Sequence, residues 1–164
     1  MALYDILPLQ PQDQAWVARV VCAQWGAEIV VAHGQVFYPA RLPGFWAAHD
    51  EQCLGLATYQ VSGVECELIT LDSLVPGAGV GTALVEAVRQ AARQAGCRRL
   101  HLITTNDNLN ALHFYQKRGF RLAELHPGAI QAARRLKPSI PLLGEDGIPI
   151  RDELVLEMYL PEQD

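Results

Sequence analysis

Pro76-Gly77-Ala78-Gly79-Val80-Gly81-Thr82-Ala83-Leu84 sets three glycines at a spacing of two, closes a β-rich run and opens directly onto a helical pattern. Glycine populates positive φ and, lacking a Cβ, lets another molecule lie against bare backbone. The first N–H groups of the helix that follows have no intrahelical acceptor, and its dipole turns a positive end outward. Together these features make a seat for a phosphate-bearing ligand. Two common phosphate loops are excluded by the residues themselves. The triphosphate loop requires Lys-Ser or Lys-Thr after its last glycine, where this chain has Thr82-Ala83. The dinucleotide fingerprint requires Gly-x-Gly-x-x-Gly, whereas residues 79–84 run Gly-Val-Gly-Thr-Ala-Leu.

A second pattern lies downstream. Asn108-Leu109-Asn110-Ala111-Leu112-His113-Phe114-Tyr115-Gln116-Lys117-Arg118-Gly119-Phe120 has the form N-x-x-A-x-x-x-Y-x-x-x-G-F. Steps of three and four residues return to one helix face, so Asn108, Ala111 and Tyr115 share a side. The small Ala111 leaves room there, and Tyr115 turns its phenol toward whatever that face borders. On the strand before the glycine loop, alternation puts Glu65, Glu67, Ile69 and Leu71 on one face and Cys66 on the other.

The elements that must position these residues follow from hydrophobic period and turn residues. Tyr4 to Leu9 reads as a strand, and Trp16, Val17, Val20, Val21 and Trp25 give a helix from Asp13 to Trp25 that Gly26 ends. Ile29 to Ala32 and Val36 to Tyr38 form a short hairpin around His33-Gly34. Strands at 44–49, 53–61 and 64–71, separated by Asp50-Glu51-Gln52 and Ser62-Gly63, make an antiparallel meander. Residues 81–95 carry an apolar stripe of Leu84, Val88, Ala91, Ala92 and Ala95 and stop at Gly96. A strand at 99–104, a helix at 109–118 capped by Asn108, and strands at 120–125 and 154–160 complete the chain. The segment 127–151, rich in proline and glycine, reads as a long loop between the last two strands, and long ordered loops are often functional. The pattern predicts a mixed α/β (α+β) fold in one domain spanning 1–164.

Composition narrows the classes. At 164 residues and 50% hydrophobic, the chain suits one domain that buries about 70% of its unfolded surface. A net charge of −5 argues against nucleic-acid binding, which wants a basic face. There is no apolar run long enough for a membrane span and no signal-peptide pattern at Met1-Ala2-Leu3-Tyr4-Asp5, so a cytoplasmic protein is expected. Cys22, Cys53, Cys66 and Cys97 stand singly without metal-ligand spacing and read as buried thiols, with no metal expected. The cluster Arg134, Arg135 and Lys137 reads as a solvated face.

In motif order and element order, residues 44–125 resemble the GNAT superfamily of N-acetyltransferases. The phosphate loop of that family reads R/Q-x-x-G-x-G/A, and residues 76–81 match except at the first position, where Pro76 replaces the basic or amide residue. The closing segment, Lys137-Pro138-Ser139-Ile140-Pro141 through Gly147-Ile148-Pro149-Ile150-Arg151-Asp152-Glu153, is similar to that of a bacterial subgroup of unassigned acceptor. The resemblance implies a central, mostly antiparallel sheet of about six to seven strands flanked by helices, with a parallel splayed pair at the cofactor site. It also implies acetyl-CoA as co-substrate. Main-chain N–H groups of Gly77, Ala78, Gly79, Val80, Gly81 and Thr82 would hold the pyrophosphate, although Pro76 has no N–H to add. Ile69 and Leu71 would offer main-chain contacts to the acetyl carbonyl and pantetheine arm, and Asn108 would touch the arm or an ordered water. Tyr115 would stand beside the thioester sulfur as general acid.

The amine side needs a base. An alkyl ammonium with a pKa of about 10.4 costs about 4–5 kcal/mol to deprotonate at neutral pH, a barrier that a general base lowers. Glu67 and Glu65 are the base candidates, unseparated by sequence; His33 and His49 lie toward the acceptor side as accessory candidates. The expected reaction is direct acetyl transfer to a small-molecule or peptide amine. The rival expectation is an acyl-CoA-binding regulatory module of the same fold without transferase activity. A homodimer through the final strands is compatible with either.

Overall fold

The computed structural model describes residues 3–162. Its elements in chain order are β1 (Asp5–Pro8), α1 (Gln14–Trp25), β2 (Val30–Ala32), β3 (Gln35–Phe37), β4 (Gly44–His49), β5 (Gln52–Ser62), β6 (Glu65–Ser73), α2 (Val80–Gln94), β7 (Arg99–Thr105), α3 (Leu109–Lys117), β8 (Arg121–His126), α4 (Ala129–Leu136) and β9 (Glu153–Tyr159). Seven strands form one sheet in the order β1-β4-β5-β6-β7-β9-β8, and β2 and β3 form a separate hairpin. Every neighbouring pair in the sheet is antiparallel except β6 and β7. Parallel strands need a crossover, and α2 provides it.

Alternation along β5 divides the core into two layers. Leu56 and Ala57 are consecutive, so their side chains leave opposite faces of the sheet. Ala57 joins the larger cluster, where Leu84, Val88 and Ala92 of α2 meet Leu68, Leu100 and Leu156 of the sheet. Leu56 joins Val17 and Val21 of α1. The β2–β3 hairpin rests Val30, Ala32 and Phe37 on Ile69. Within 127–151 the chain is not wholly loop. Ala129-Ile130-Gln131-Ala132-Ala133-Arg134-Arg135-Leu136 lacks proline and is rich in helix formers, and Ile130 and Ala133, one turn apart, bury against Ile150. The flanking prolines hide this helix in the composition.

One irregularity sets up everything that follows. Tyr59 pairs with Leu68 and Thr58 with Thr70, which leaves Ile69 as an extra residue in β6. A bulge of this kind flips the alternation beyond it. Ile69 therefore stays on the hairpin side with Glu67, whereas Leu71 turns to the α2 side. The expectation that Glu65, Glu67, Ile69 and Leu71 share one face holds through Ile69 and fails at Leu71. The parallel ladder with β7 runs only from Glu65 opposite Arg99 to Leu68 opposite Leu102. Beyond it the two strands part.

Candidate active site

Where β6 and β7 diverge, a cleft of about 290 Å³ opens between them, bordered by Ile69, Leu71, Asp72, Ile103, Asn108 and Tyr115. From Ile69 onward β6 has no strand partner on its β7 side, so main-chain groups pointing that way are available to a ligand. The glycine loop lies at the end of the same strand. Gly77 and Gly79 adopt φ of +75° and +73°, which lets the chain turn sharply into α2. A Cβ at Gly77 would meet nothing within 4 Å, so the loop is open outward. Tyr4 fixes it from behind by donating its hydroxyl to the Ala78 carbonyl at 3.0 Å. Among the described residues, no acceptor takes the main-chain N–H groups of Gly77, Ala78, Gly79, Val80, Gly81 or Thr82. This open run of donors suits a diphosphate.

Tyr115 sits in the wall of the cleft, 9% exposed, with its ring edge-on to Phe114 and Phe120. Burial, reinforced by the charge of Asp72, pushes its phenol well above the usual tyrosine range. The hydroxyl therefore keeps its proton throughout the physiological range, as a proton donor must. Asn108 is the N-cap of α3 and accepts the Ala111 N–H at 3.1 Å. It borders the cleft and also the two cavities described next.

A smaller cavity of about 120 Å³ continues from the cleft toward the β2–β3 hairpin, sharing Trp25, Ile69, Ile103 and Asn108 with it. Its carboxylates are Glu67 and Glu153, 7% and 3% exposed. His33, at the hairpin tip with φ of +39°, holds both. Its Nε2 lies 2.8 and 3.1 Å from the two carboxylate oxygens of Glu67, and its main-chain N–H donates to Glu153 at 3.1 Å. His101 stands 3.8 Å from Glu67, and burial lowers its pKa. On the far side of Asn108 a third cavity, of about 300 Å³, carries Asp107, Glu145 and Asp146. Neither of these two cavities has a lysine or arginine in its lining.

The structure separates the two glutamates that sequence left together. Glu65 lies at the fully paired end of β6 and is tied at 3.1 Å to Arg99, which also bonds Glu157 at 2.6 Å. It borders none of the three cavities. Glu67 remains at the point of divergence. Cys66 faces the core as its parity requires, and burial pushes its thiol up to about 12. His33 reaches the site; His49 does not, and bonds the Leu3 carbonyl at the surface. Of the basic cluster, Arg135 is solvated as expected, but Arg134 and Lys137 are not. Arg134 donates to the carbonyls of Pro141 and Ile150, and Lys137, 7% exposed, donates to the Trp25 carbonyl. The proline-rich loop leaves carbonyls without ladder partners, which Arg134 satisfies, and Lys137 satisfies one at the C-terminal end of α1.

Sequence reasoning passed over Glu153, Asp72 and Trp25. Trp25 Nε1 donates to Asp72 at 3.0 Å, and burial raises the Asp72 carboxyl to about 6. The available signal was a charged residue at an inward strand position, visible for Glu153 beside Val155 and Leu156 but hidden for Asp72 by the bulge. Among the described residues no three or more His, Cys, Asp or Glu side chains gather as a metal-holding group, and no helix is long and apolar enough to cross a membrane.

Comparison with known proteins places this arrangement. The family model described as "Acetyltransferase (GNAT) family" matches residues 11–120. The Bacillus subtilis protein YdhI, itself uncharacterised, is 46% identical over 137 residues, covering 83% of this chain and 86% of YdhI. Among solved structures, a GNAT family acetyltransferase from Elizabethkingia anophelis with acetyl-CoA bound superposes with a TM-score of 0.69 at 18% identity, covering 98% of this chain and 100% of that one. A Bacillus subtilis acetyltransferase in complex with CoA gives the same TM-score and identity over 96% of this chain and 99% of its own.

Proposed function

The chain belongs to the GNAT family of acetyltransferases, and on that footing we propose that it transfers the acetyl group of acetyl-CoA to a primary amine by direct attack with both ligands bound. The observation that carries this reading is the run of unused N–H groups at the mouth of α2, set beside a phenol-lined cleft where β6 leaves β7. The N–H groups from Gly77 to Thr82 hold the diphosphate. The backbone around Ile69 and Leu71 faces the pantetheine arm and polarises the acetyl carbonyl, and Asn108 steadies the arm. Acetyl-CoA supplies the activated acyl group. The chain's own residues act on protons. Glu67, buried at the divergence, takes one from the incoming ammonium so that its nitrogen can attack the carbonyl carbon. As the C–S bond breaks, Tyr115 gives the phenol proton to the departing sulfur. The second proton that the nitrogen sheds as the amide forms restores the phenol, leaving one net proton on Glu67 to pass to solvent. The single domain contains both halves of this machinery.

The acceptor on this reading is a cationic amine. Glu67 and Glu153 in the smaller cavity, and Asp107, Glu145 and Asp146 beyond Asn108, create a negative field with no fixed cation in either lining, which concentrates ammonium groups and repels carboxylates. The test is thiol release from acetyl-CoA with a panel of primary amines. Amine-dependent release is expected, strongest for acceptors without a carboxylate, and Tyr115→Phe lowers the turnover about a hundredfold or more. CoA binding without amine-dependent release would leave an acyl-CoA-binding module instead.

A further inference from the structure

The phosphate loop has a missing charge. Neither the residues from Leu74 to Gly79 nor the first turn of α2 contains a lysine or arginine, and Pro76 stands where the family pattern has a basic or amide residue. The mouth of the helix contributes about half a positive charge, against the two negative charges of a diphosphate.

A cation reaches this place from elsewhere in the chain. Arg118, at the end of α3, donates from Nε to the Thr82 hydroxyl at 2.8 Å and from Nη1 to the Phe114 carbonyl at 2.8 Å. Its guanidinium lies 3.6 Å from the centroid of the Phe114 ring. Phe114 in turn packs on Gly81, where a Cβ would stand 3.2 Å from the ring. Three contacts thus fix the fork beside the first turn of α2. Among the described residues, Arg118 has no carboxylate within 4.0 Å, unlike Arg89, Arg98 and Arg99. Among the same residues its Nη2 finds no acceptor. A guanidinium held in place, half-buried and without a counter-ion, beside a row of unused N–H donors, is arranged for an anion. Thr82 adds to it: because its oxygen accepts from Arg118, its hydroxyl hydrogen is left to donate outward.

We propose that Arg118 supplies the cation for the coenzyme A diphosphate in place of the basic residue absent at position 76, with Thr82 as its anchor. The assignment rests on the acetyl-CoA reading above. It also explains how the loop tolerates Pro76, since the charge comes from α3.

The test is calorimetric titration of the full chain with CoA, and competition with S-acetylpantetheine, which lacks the phosphates. Arg118→Gln weakens CoA about ten- to hundredfold and leaves S-acetylpantetheine within twofold. Adding Pro76→Arg to Arg118→Gln recovers at least part of the lost CoA affinity. Arg118→Lys keeps the charge without the fork and falls between wild type and Arg118→Gln, so the question stays answerable if the glutamine variant folds poorly. Unchanged CoA affinity in both variants, or equal weakening of both ligands, overturns the assignment. Failure of the wild-type chain to bind CoA overturns the acetyl-CoA reading itself, and this assignment with it.

Discussion

The two halves of β6 are built from similar residues and do opposite things. From Glu65 to Leu68 the strand is paired on both sides, and Glu65 at its outer end is neutralised by Arg99 at the surface. From Ile69 to Ser73 it keeps β5 but loses β7, and its side chains and backbone border the cleft. The cause is a single extra residue. The first half holds the sheet together; the second leaves main-chain hydrogen-bonding groups for a ligand. A carboxylate's role then depends on its distance from the break: Glu65, at the far end of the paired half, is an ion-pair member, while Glu67, one residue before its last pair, is buried against His33 and lines the smaller cavity.

The largest expected effect tests that contrast directly. Glu67→Gln lowers acetyl-transfer turnover about a hundredfold, while Glu65→Gln stays within about twofold and changes stability by no more than about 0.5 kcal/mol, as for an exposed pair. Steady-state kinetics of both variants against one amine decides it, and comparable losses in the two would erase the distinction between the two carboxylates. A smaller effect lies at the loop. Gly79→Ala forces a Cβ onto a residue with φ of +73°, costs about 1 kcal/mol in urea unfolding and weakens CoA about tenfold; a Gly79→Ala chain as stable and as tight-binding as wild type would mean that the turn needs no glycine.

A third effect concerns Asp72 in the open half and is read in stability alone. Its carboxyl titrates near 6 in the folded chain, raised from 3.8 by burial. The folded state therefore binds this proton more tightly than the unfolded state. That contribution is fully present below the unfolded value and is lost as pH rises through about 6. Asp72→Asn, which carries no charge, stabilises the fold by about 1–2 kcal/mol more at pH 8 than at pH 4, read from urea midpoints at the two pH values. A pH-independent difference would place Asp72 in water.

The elements themselves were legible because the signals are local. Gly26, Gly96 and Gly119 end helices where the apolar period stops, and the stripe of α2 buries Leu84, Val88 and Ala92 as its spacing requires. The bulge was not legible. In Glu67-Leu68-Ile69-Thr70-Leu71 an inserted residue leaves the composition of an ordinary strand, so alternation was carried one position too far. The helix Ala129–Leu136 was masked by the prolines around it. The contacts that complete the site join residues far apart in the chain: His33 to Glu67, Trp25 to Asp72 and Thr82 to Arg118 lie 34, 47 and 36 residues apart. No local period encodes such meetings; they follow from sheet order and from the fold of the hairpin over β6.

The most direct measurement is the amide spectrum of the isotopically labelled chain titrated with CoA. Phosphate oxygens accepting the free N–H groups should move the Gly77, Gly79 and Gly81 cross-peaks downfield together, with smaller movements at Ile69 and Leu71 and none at Glu65. Saturating CoA that leaves those three glycine peaks in place, or moves only peaks of the paired half of β6, would contradict a diphosphate seated on the mouth of α2.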